Sequence, residues 1–266
     1  MPGRDRGADR DREAEERRKL RGSLLALSLV PPLFGLMSLF SDLPRGPWIG
    51  LAFGLIPVVT AVAIRPLHRP GSFRPSHGFA GLWLACALSI AAFVAVAAAH
   101  VPVRSAPGLA VQAPLLLGLA LGLMAGRYQL LEEGAMRRSL TRRLRAADGV
   151  LEIHDRHKID RWFRASRRGD PIDMAIRLAS WAYAGLVILG AVFGGGAGLI
   201  ILALLAPRMA PEAAMGLHAT AMTGLGALAI PVLGYLLPAL WRAWRMVRQI
   251  EAEARDTSGQ IAIRWV

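Results

Sequence analysis

The chain has 266 residues, of which 54% are hydrophobic, and a formal net charge of +13 at pH 7. Its single cysteine, Cys86, excludes a disulfide scaffold and a multi-cysteine metal site within one chain. The basic residues are neither interleaved with aromatic residues nor arranged on a recognisable nucleic-acid-binding fold, so we expect no nucleic-acid partner.

Long uncharged apolar runs dominate the sequence. A helix needs roughly 17–25 apolar residues to cross the hydrocarbon layer, and each run reaches that length. Lipid offers no hydrogen-bond partner to the backbone, so continuous apolar runs predict helices. The expected fold is an all-α, polytopic membrane bundle with six transmembrane helices (4+2) and amphipathic cytoplasmic helices. The six runs are Ser23–Phe40, Pro47–Ile64, Gly78–Val103, Ala106–Gly126, Leu178–Ala206 and Ala213–Leu240.

The distribution of Lys and Arg predicts the orientation of these spans. Of the 32 basic residues, 29 lie in four segments, and the three intervening loops hold only Arg45, Arg104 and Arg208. Basic residues near span ends are retained on the cytoplasmic side, so both termini are expected in the cytoplasm. The preference for Arg over Lys is typical of a GC-rich bacterial genome, and we therefore expect a bacterial inner membrane.

This topology divides the chain into five regions. They are a charged cytoplasmic N-terminal arm (1–22), a four-helix transmembrane region (23–126), a basic amphipathic cytoplasmic segment (127–177), a transmembrane hairpin (178–240), and a cytoplasmic C-terminal helix and tail (241–266). In the arm, Glu13–Arg17 and Glu15–Lys19 have the spacing of helical ion pairs.

The basic cytoplasmic segment carries the predicted contact surface for a partner or for lipid. Met136, Leu140 and Leu144 recur every four residues, which predicts an interfacial amphipathic helix that ends at Gly149. The contact residues are expected to be basic: Arg137, Arg138, Arg142, Arg143, Arg145, Arg161, Arg164, Arg167 and Arg168.

Aromatic residues follow the last apolar run. Trp241 and Trp244 fit the belt of aromatic side chains at a membrane interface. In the tail, Glu251–Arg255 has the spacing of a helical ion pair. Residues Ile261–Val266 alternate weakly between apolar and polar, a pattern that would suit addition to a partner's sheet.

Two rows of glycine have four-residue spacing, which places each row on one helix face. Small residues let another helix backbone approach closely, either inside one bundle or in an oligomer. The rows are Gly118, Gly122 and Gly126 in the fourth run, and Gly190, Gly194 and Gly198 in the fifth.

Four polar residues fall at comparable depth near the outer ends of the apolar runs: His100, Gln112, His218 and Thr220. Polar side chains in membrane helices act as hydrogen-bonded staples, lie at the interface, or mark a site. We keep open a ligand or ion vestibule, and haem held by the two histidines.

No motif identifies an enzyme. Glu132-Glu133 with Arg137 resembles the first motif of intramembrane prenyl-protease-like proteins, but the chain has no asparagine and lacks their F-x-x-x-H motif. The run from His154 to Asp160 offers metal-binding residue types without a defined geometry. We therefore assign no catalytic residue, no metal and no cofactor.

The segment Ala219–Pro231 is similar to the last span of proton-driven stator proteins, but alignment needs two extra residues, so no family is assigned. The predicted function is that of a non-enzymatic membrane-complex subunit or scaffold, with lipid and other subunits or further copies as partners. A transport or ion-channel module is the alternative, and an intramembrane enzyme is the third.

Overall fold

The computed structural model describes most of the N-terminal half of the chain and most of its C-terminal quarter. The described residues are 6–35, 46–100, 106–129, 137, 140, 141, 143–147, 149–153, 211–255 and 261–265.

Helices account for most of these residues, with a short 3-10 helix at Arg65–His68 and three short strands. The helices are α1 (Arg6–Ser28), α2 (Val30–Gly35), α3 (Gly46–Gly54), α4 (Ile56–Ala63), α5 (Pro75–His100), α6 (Ala106–Gln129) and α7 (Pro211–Glu253). The strands are β1 (Leu144–Ala147), β2 (Val150–Ile153) and β3 (Ala262–Trp265).

Three helices, α5, α6 and α7, are long and apolar enough to cross a membrane. They coincide with the third, fourth and sixth apolar runs. Many of their large apolar side chains point outwards: Leu117 of α6, for example, is 61% exposed. Exposed leucines on the outside of a bundle are suited to lipid contact. The chain is therefore compatible with a membrane protein.

The six-span prediction is not supported. In the first run, α1 ends at Ser28 and a turn at Leu29 precedes α2. Pro31 and Pro32 have no N–H to continue the helical ladder, which accounts for the break. In the second run, Pro57 follows a similar turn at Leu55, and the apolar helical stretch is short. The fifth run, Leu178–Ala206, lies outside the described residues.

The 4+2 arrangement is also not supported, because only three of the described helices are long and apolar enough to span. Helix α7 packs directly against the earlier helices. It makes extensive contact with both α5 and α6, whereas α5 and α6 make much less contact with each other. In α5, Ser76 meets Glu251 of α7 and Trp83 meets Trp241, so these two helices are antiparallel. The helices α6 and α7 run parallel, since Gly118 lies against Pro231 and Gly126 against Tyr235.

A three-stranded sheet corrects the all-α expectation. The order is β1-β2-β3, with β1 antiparallel and β3 parallel to β2. The predicted amphipathic helix is wrong over residues 144–147, which form β1. Leu144 and Leu151 are buried while Arg145 is exposed, an alternation that suits strands.

The dipeptide Asp148-Gly149 explains the error. Ala147 pairs with Val150, so two residues connect β1 and β2. Gly149 has φ +72°, the left-handed conformation that tight hairpins require. Glycine also ends helices at their C-terminus, which is why the sequence pattern favours a helix that stops at Gly149. The C-terminal residues likewise pair within their own chain, because Ala262–Trp265 joins β2.

Candidate functional site: the charged end of the bundle

The sheet, the loop of residues 65–74, the first half of α1 and the last turns of α7 meet at one end of the bundle. We call this the charged end. Helix α7 has 43 residues and is about 65 Å long at 1.5 Å per residue, about twice the thickness of a hydrocarbon layer. Its apolar part ends at Leu240, and Arg242, Arg245 and Arg248 follow. The last turns of α7 therefore project beyond the apolar part.

A buried carboxylate joins α7 to the beginning of α5. Glu251 Oε1 accepts a hydrogen bond from the Ser76 backbone N–H at 2.9 Å, and Oε2 accepts one from the Ser76 hydroxyl at 2.8 Å. Both residues are buried. Ser76 is the second residue of α5, where N–H groups have no partner within the helix. Glu251 therefore caps α5 from a distant part of the chain.

The environment of this carboxylate shifts its pKa. Glu251 lies about 16 Å beyond Leu240 along α7 and thus outside the apolar part. Burial raises the pKa of Glu251, against the opposing effect of the two Ser76 hydrogen bonds and of Arg74 and Arg248. Burial also lowers the pKa of Arg74, which Glu251 partly offsets. Two desolvated groups of opposite charge thus meet beside the first turn of α5.

Helix α1 is held against the loop that precedes α5. Glu13 accepts a hydrogen bond from the Gly71 N–H at 2.7 Å, and Arg17 donates to the His68 carbonyl at 3.5 Å. Of the two predicted ion pairs, Glu15–Lys19 is present at 2.7 Å, and it is the main cause that raises the pKa of Lys19. These contacts fix the charged helix to the bundle.

The sheet is attached to the same loop. The rings of Phe73 and Trp265 lie 6.1 Å apart, and both side chains are buried. Across the parallel pair, Arg264 donates to Glu152 at 3.2 Å. Since β3 is the end of the chain and β2 follows α6, the sheet connects two sequence-distant segments into one body.

Some of the predicted contact residues lie on this body. Arg137 and Arg145 are exposed, and Arg143 is half-buried. Arg138, Arg142, Arg161, Arg164, Arg167 and Arg168 lie outside the described residues. A groove of about 360 Å³ separates the Arg137 segment from α7, and it is lined by Arg137, Leu140, Thr141, Met246, Gln249, Ile250 and Glu253.

The first glycine row lies between α6 and α7. A Cβ at Gly122 would be 2.3 Å from the Pro231 carbonyl oxygen, and one at Gly126 would be 2.2 Å from that of Tyr235. At Gly118 it would be 3.0 Å from the Pro231 ring. The two backbones approach so closely that no larger residue fits without movement. Gly190, Gly194 and Gly198 lie outside the described residues.

The four predicted polar residues are only partly described. Gln112 of α6 is 6% exposed, and its Nε2 has no hydrogen-bond partner among the described groups. The side chains of His100, His218 and Thr220 are not described, so the grouping of the four residues stays a prediction. Within the described ranges, no group of three or more His, Cys, Asp or Glu side chains could hold a metal ion. The His154–Asp160 run lies outside those ranges.

The local sequence does not identify Glu251 as a cap, because its spacing to Arg255 predicts a pair within the same helix. One feature of the sequence does indicate a distant partner. Glu251 falls on the same helical face as Leu240, Val247 and Ala254, all of which are buried. An acidic residue on an apolar face needs a polar partner from another element.

No protein-family model matches the chain, and no curated protein and no solved structure is significantly similar to it.

Proposed function

We propose that this protein is a non-enzymatic integral subunit or scaffold of a bacterial inner-membrane complex. Its charged end faces the cytoplasm and presents a folded basic surface to another subunit. The positive-inside distribution of Lys and Arg supports this orientation.

The observation that carries the proposal is the way the charged end is built. Glu251 ties the end of α7 to α5, and the Phe73–Trp265 contact ties the C-terminal strand to the loop before α5. Arg145 lies on an exposed edge of the resulting sheet, with Arg137 exposed beside α7. A rigid surface loses little conformational entropy on binding, which favours a docking role.

The test is recovery of partners from membranes. Tagged protein is purified in mild detergent, and the co-purifying chains are identified by mass spectrometry. We expect a defined partner with the wild type and lower recovery of that partner with Arg137→Gln/Arg145→Gln, because two exposed cations are removed from the docking surface.

The matched control is Arg12→Gln/Arg18→Gln, which removes the same charge from exposed positions on α1. This variant should recover the partner normally. Equal recovery of the partner by both double variants would contradict docking through the Arg137–Arg145 surface. An equal loss of partner recovery would show that the effect depends on net charge and not on this surface.

A second candidate, a transport or ion-channel module, is supported by Gln112. A buried amide donor without an acceptor costs about 1–3 kcal/mol, and none of the described groups accepts from the Gln112 amide, so a bound anion or a solute with an acceptor oxygen would supply one. Flux into proteoliposomes tests this: Gln112→Leu should abolish flux if the amide serves transport. If the protein carries no flux of protons or small ions, the candidate fails.

A further inference from the structure

Three tryptophans meet at the end of the apolar part of the bundle. Trp83 of α5 and Trp241 of α7 have ring centroids 5.6 Å apart, and Trp241 and Trp244 are 4.7 Å apart. Trp241 is 44% exposed. Tryptophan is enriched at the level of lipid headgroups, where an apolar ring with one polar N–H is favoured. The cluster therefore indicates the interfacial level of the bundle.

An arginine and a histidine lie next to this cluster, on the side of the charged end. The Arg248 guanidinium is 5.3 Å from the centroid of the Trp244 ring. His77, at the start of α5, lies within electrostatic range of Arg248 and Arg74; partial burial and these two cations lower its pKa, so its ring is a neutral hydrogen-bond donor. Glu251 is the carboxylate that acts on both arginines. Two guanidinium groups outnumber this one carboxylate, so the local charge is positive.

We propose that Trp83, Trp241, Trp244, His77 and Arg248, which we call the tryptophan–arginine patch, bind the headgroup of an anionic phospholipid. The lipid phosphate lies against Arg248 and His77, and the glycerol and first acyl carbons lie along the indole rings. A guanidinium stacked on an aromatic ring keeps its N–H edge available for a phosphate. The patch lies apart from the Arg137–Arg145 surface, and the inference does not rest on the proposed docking function.

The composition of the patch favours this occupant over two others. Free phosphate would use Arg248 and His77 but not the three indole rings. A zwitterionic lipid would need an accessible carboxylate for its ammonium group, and Glu251, the carboxylate that acts on Arg248, is buried. An anionic lipid pairs with Arg248 and also covers the exposed Trp241.

The experiment is native mass spectrometry of the full chain, purified in detergent, delipidated, and titrated with phosphatidylglycerol or phosphatidylcholine. We expect the wild type to retain phosphatidylglycerol preferentially. Arg248→Gln should weaken that retention about fivefold, corresponding to about 1 kcal/mol for one basic residue at an anionic lipid surface. His77→Gln/Arg248→Gln should lose the preference.

The matched control is Arg12→Gln, which removes one exposed charge from α1 and should retain the lipid as the wild type does. If the wild type shows no preference for phosphatidylglycerol over phosphatidylcholine, the proposal is overturned, whatever the variants do. Unchanged retention by His77→Gln/Arg248→Gln, or displacement of the lipid by an equal concentration of inorganic phosphate, also overturns it. Recovery of a protein partner is a separate measurement, and it tests only the proposed docking function.

Discussion

Ser76 gives both its backbone N–H and its hydroxyl to the carboxylate of Glu251, which lies 175 positions later in the chain. The pair closes the bundle at the charged end, because it fixes the last turns of α7 to the first turn of α5. Strand β3 follows that end of α7 in the chain and joins the sheet beside β2.

We predict that Glu251→Ala destabilises the protein by about 1–3 kcal/mol, because the buried Ser76 donors lose their acceptor. Ser76→Ala should cost about 1 kcal/mol, since the backbone N–H keeps its partner. Thermal unfolding in detergent measures both. Glu253→Ala, an exposed position on the same helix, is the control and should be close to neutral. Equal melting temperatures for the two glutamate variants would contradict the cap.

The same carboxylate predicts a pH dependence. The folded-state pKa of Glu251 is raised, so the folded protein holds this proton more tightly than the unfolded chain. Its contribution to stability is therefore fully present below the ordinary glutamate pKa and is lost as the pH rises through the raised value. The melting temperature of the wild type relative to Glu251→Gln should increase on acidification. A constant difference would show that folding does not shift the pKa of Glu251, and a decrease on acidification would show that the site favours the ionised form.

Gly122→Ala should destabilise the bundle. Alanine is intrinsically better than glycine in a helix by about 1 kcal/mol, but its Cβ would collide with the Pro231 carbonyl and force α6 and α7 apart. Gly224→Ala is the matched control, because nothing lies within 4 Å of its Cβ position. We expect a lower melting temperature for the first variant and an equal or higher one for the second. A higher melting temperature for both variants would show that Gly122 does not lie at a helix contact.

The hairpin between β1 and β2 depends on Gly149. Gly149→Val should disrupt it, because a β-branched residue does not tolerate φ +72°. Gly149→Asn should be milder, since asparagine adopts this conformation more readily. Hydrogen exchange of the Leu151 and Ile153 amides reports the result. Protection that is identical in the two variants would mean that the turn conformation does not limit the sheet.

The orientation is open to direct test. A reporter that is active only outside the cytoplasm should be silent when fused after Val266. It should be active when inserted near Arg104 or Arg208, where basic residues are sparse. Periplasmic activity of the C-terminal fusion would reverse the proposed orientation.

The sequence by itself determined the apolar helices α5, α6 and α7 and the separation of charge from apolar surface. These are local properties: a run of about twenty apolar residues needs no distant contact to predict a long helix. Local rules predicted helix length less reliably in the first two runs, where prolines interrupt the helices. They also failed for Leu144–Ala147, because a short apolar pattern fits a helix and a strand equally well.

Only the tertiary structure decided which elements meet. The parallel pairing of Val150–Ile153 with Ala262–Trp265, the contact of Gly122 with Pro231, and the cap of Ser76 by Glu251 all join residues far apart in the chain. Such contacts depend on how the helices pack, because side-chain periodicity specifies which face is buried but not what covers it. The glycine spacing indicates that another helix approaches α6 closely. Only the fold shows that this neighbour is α7.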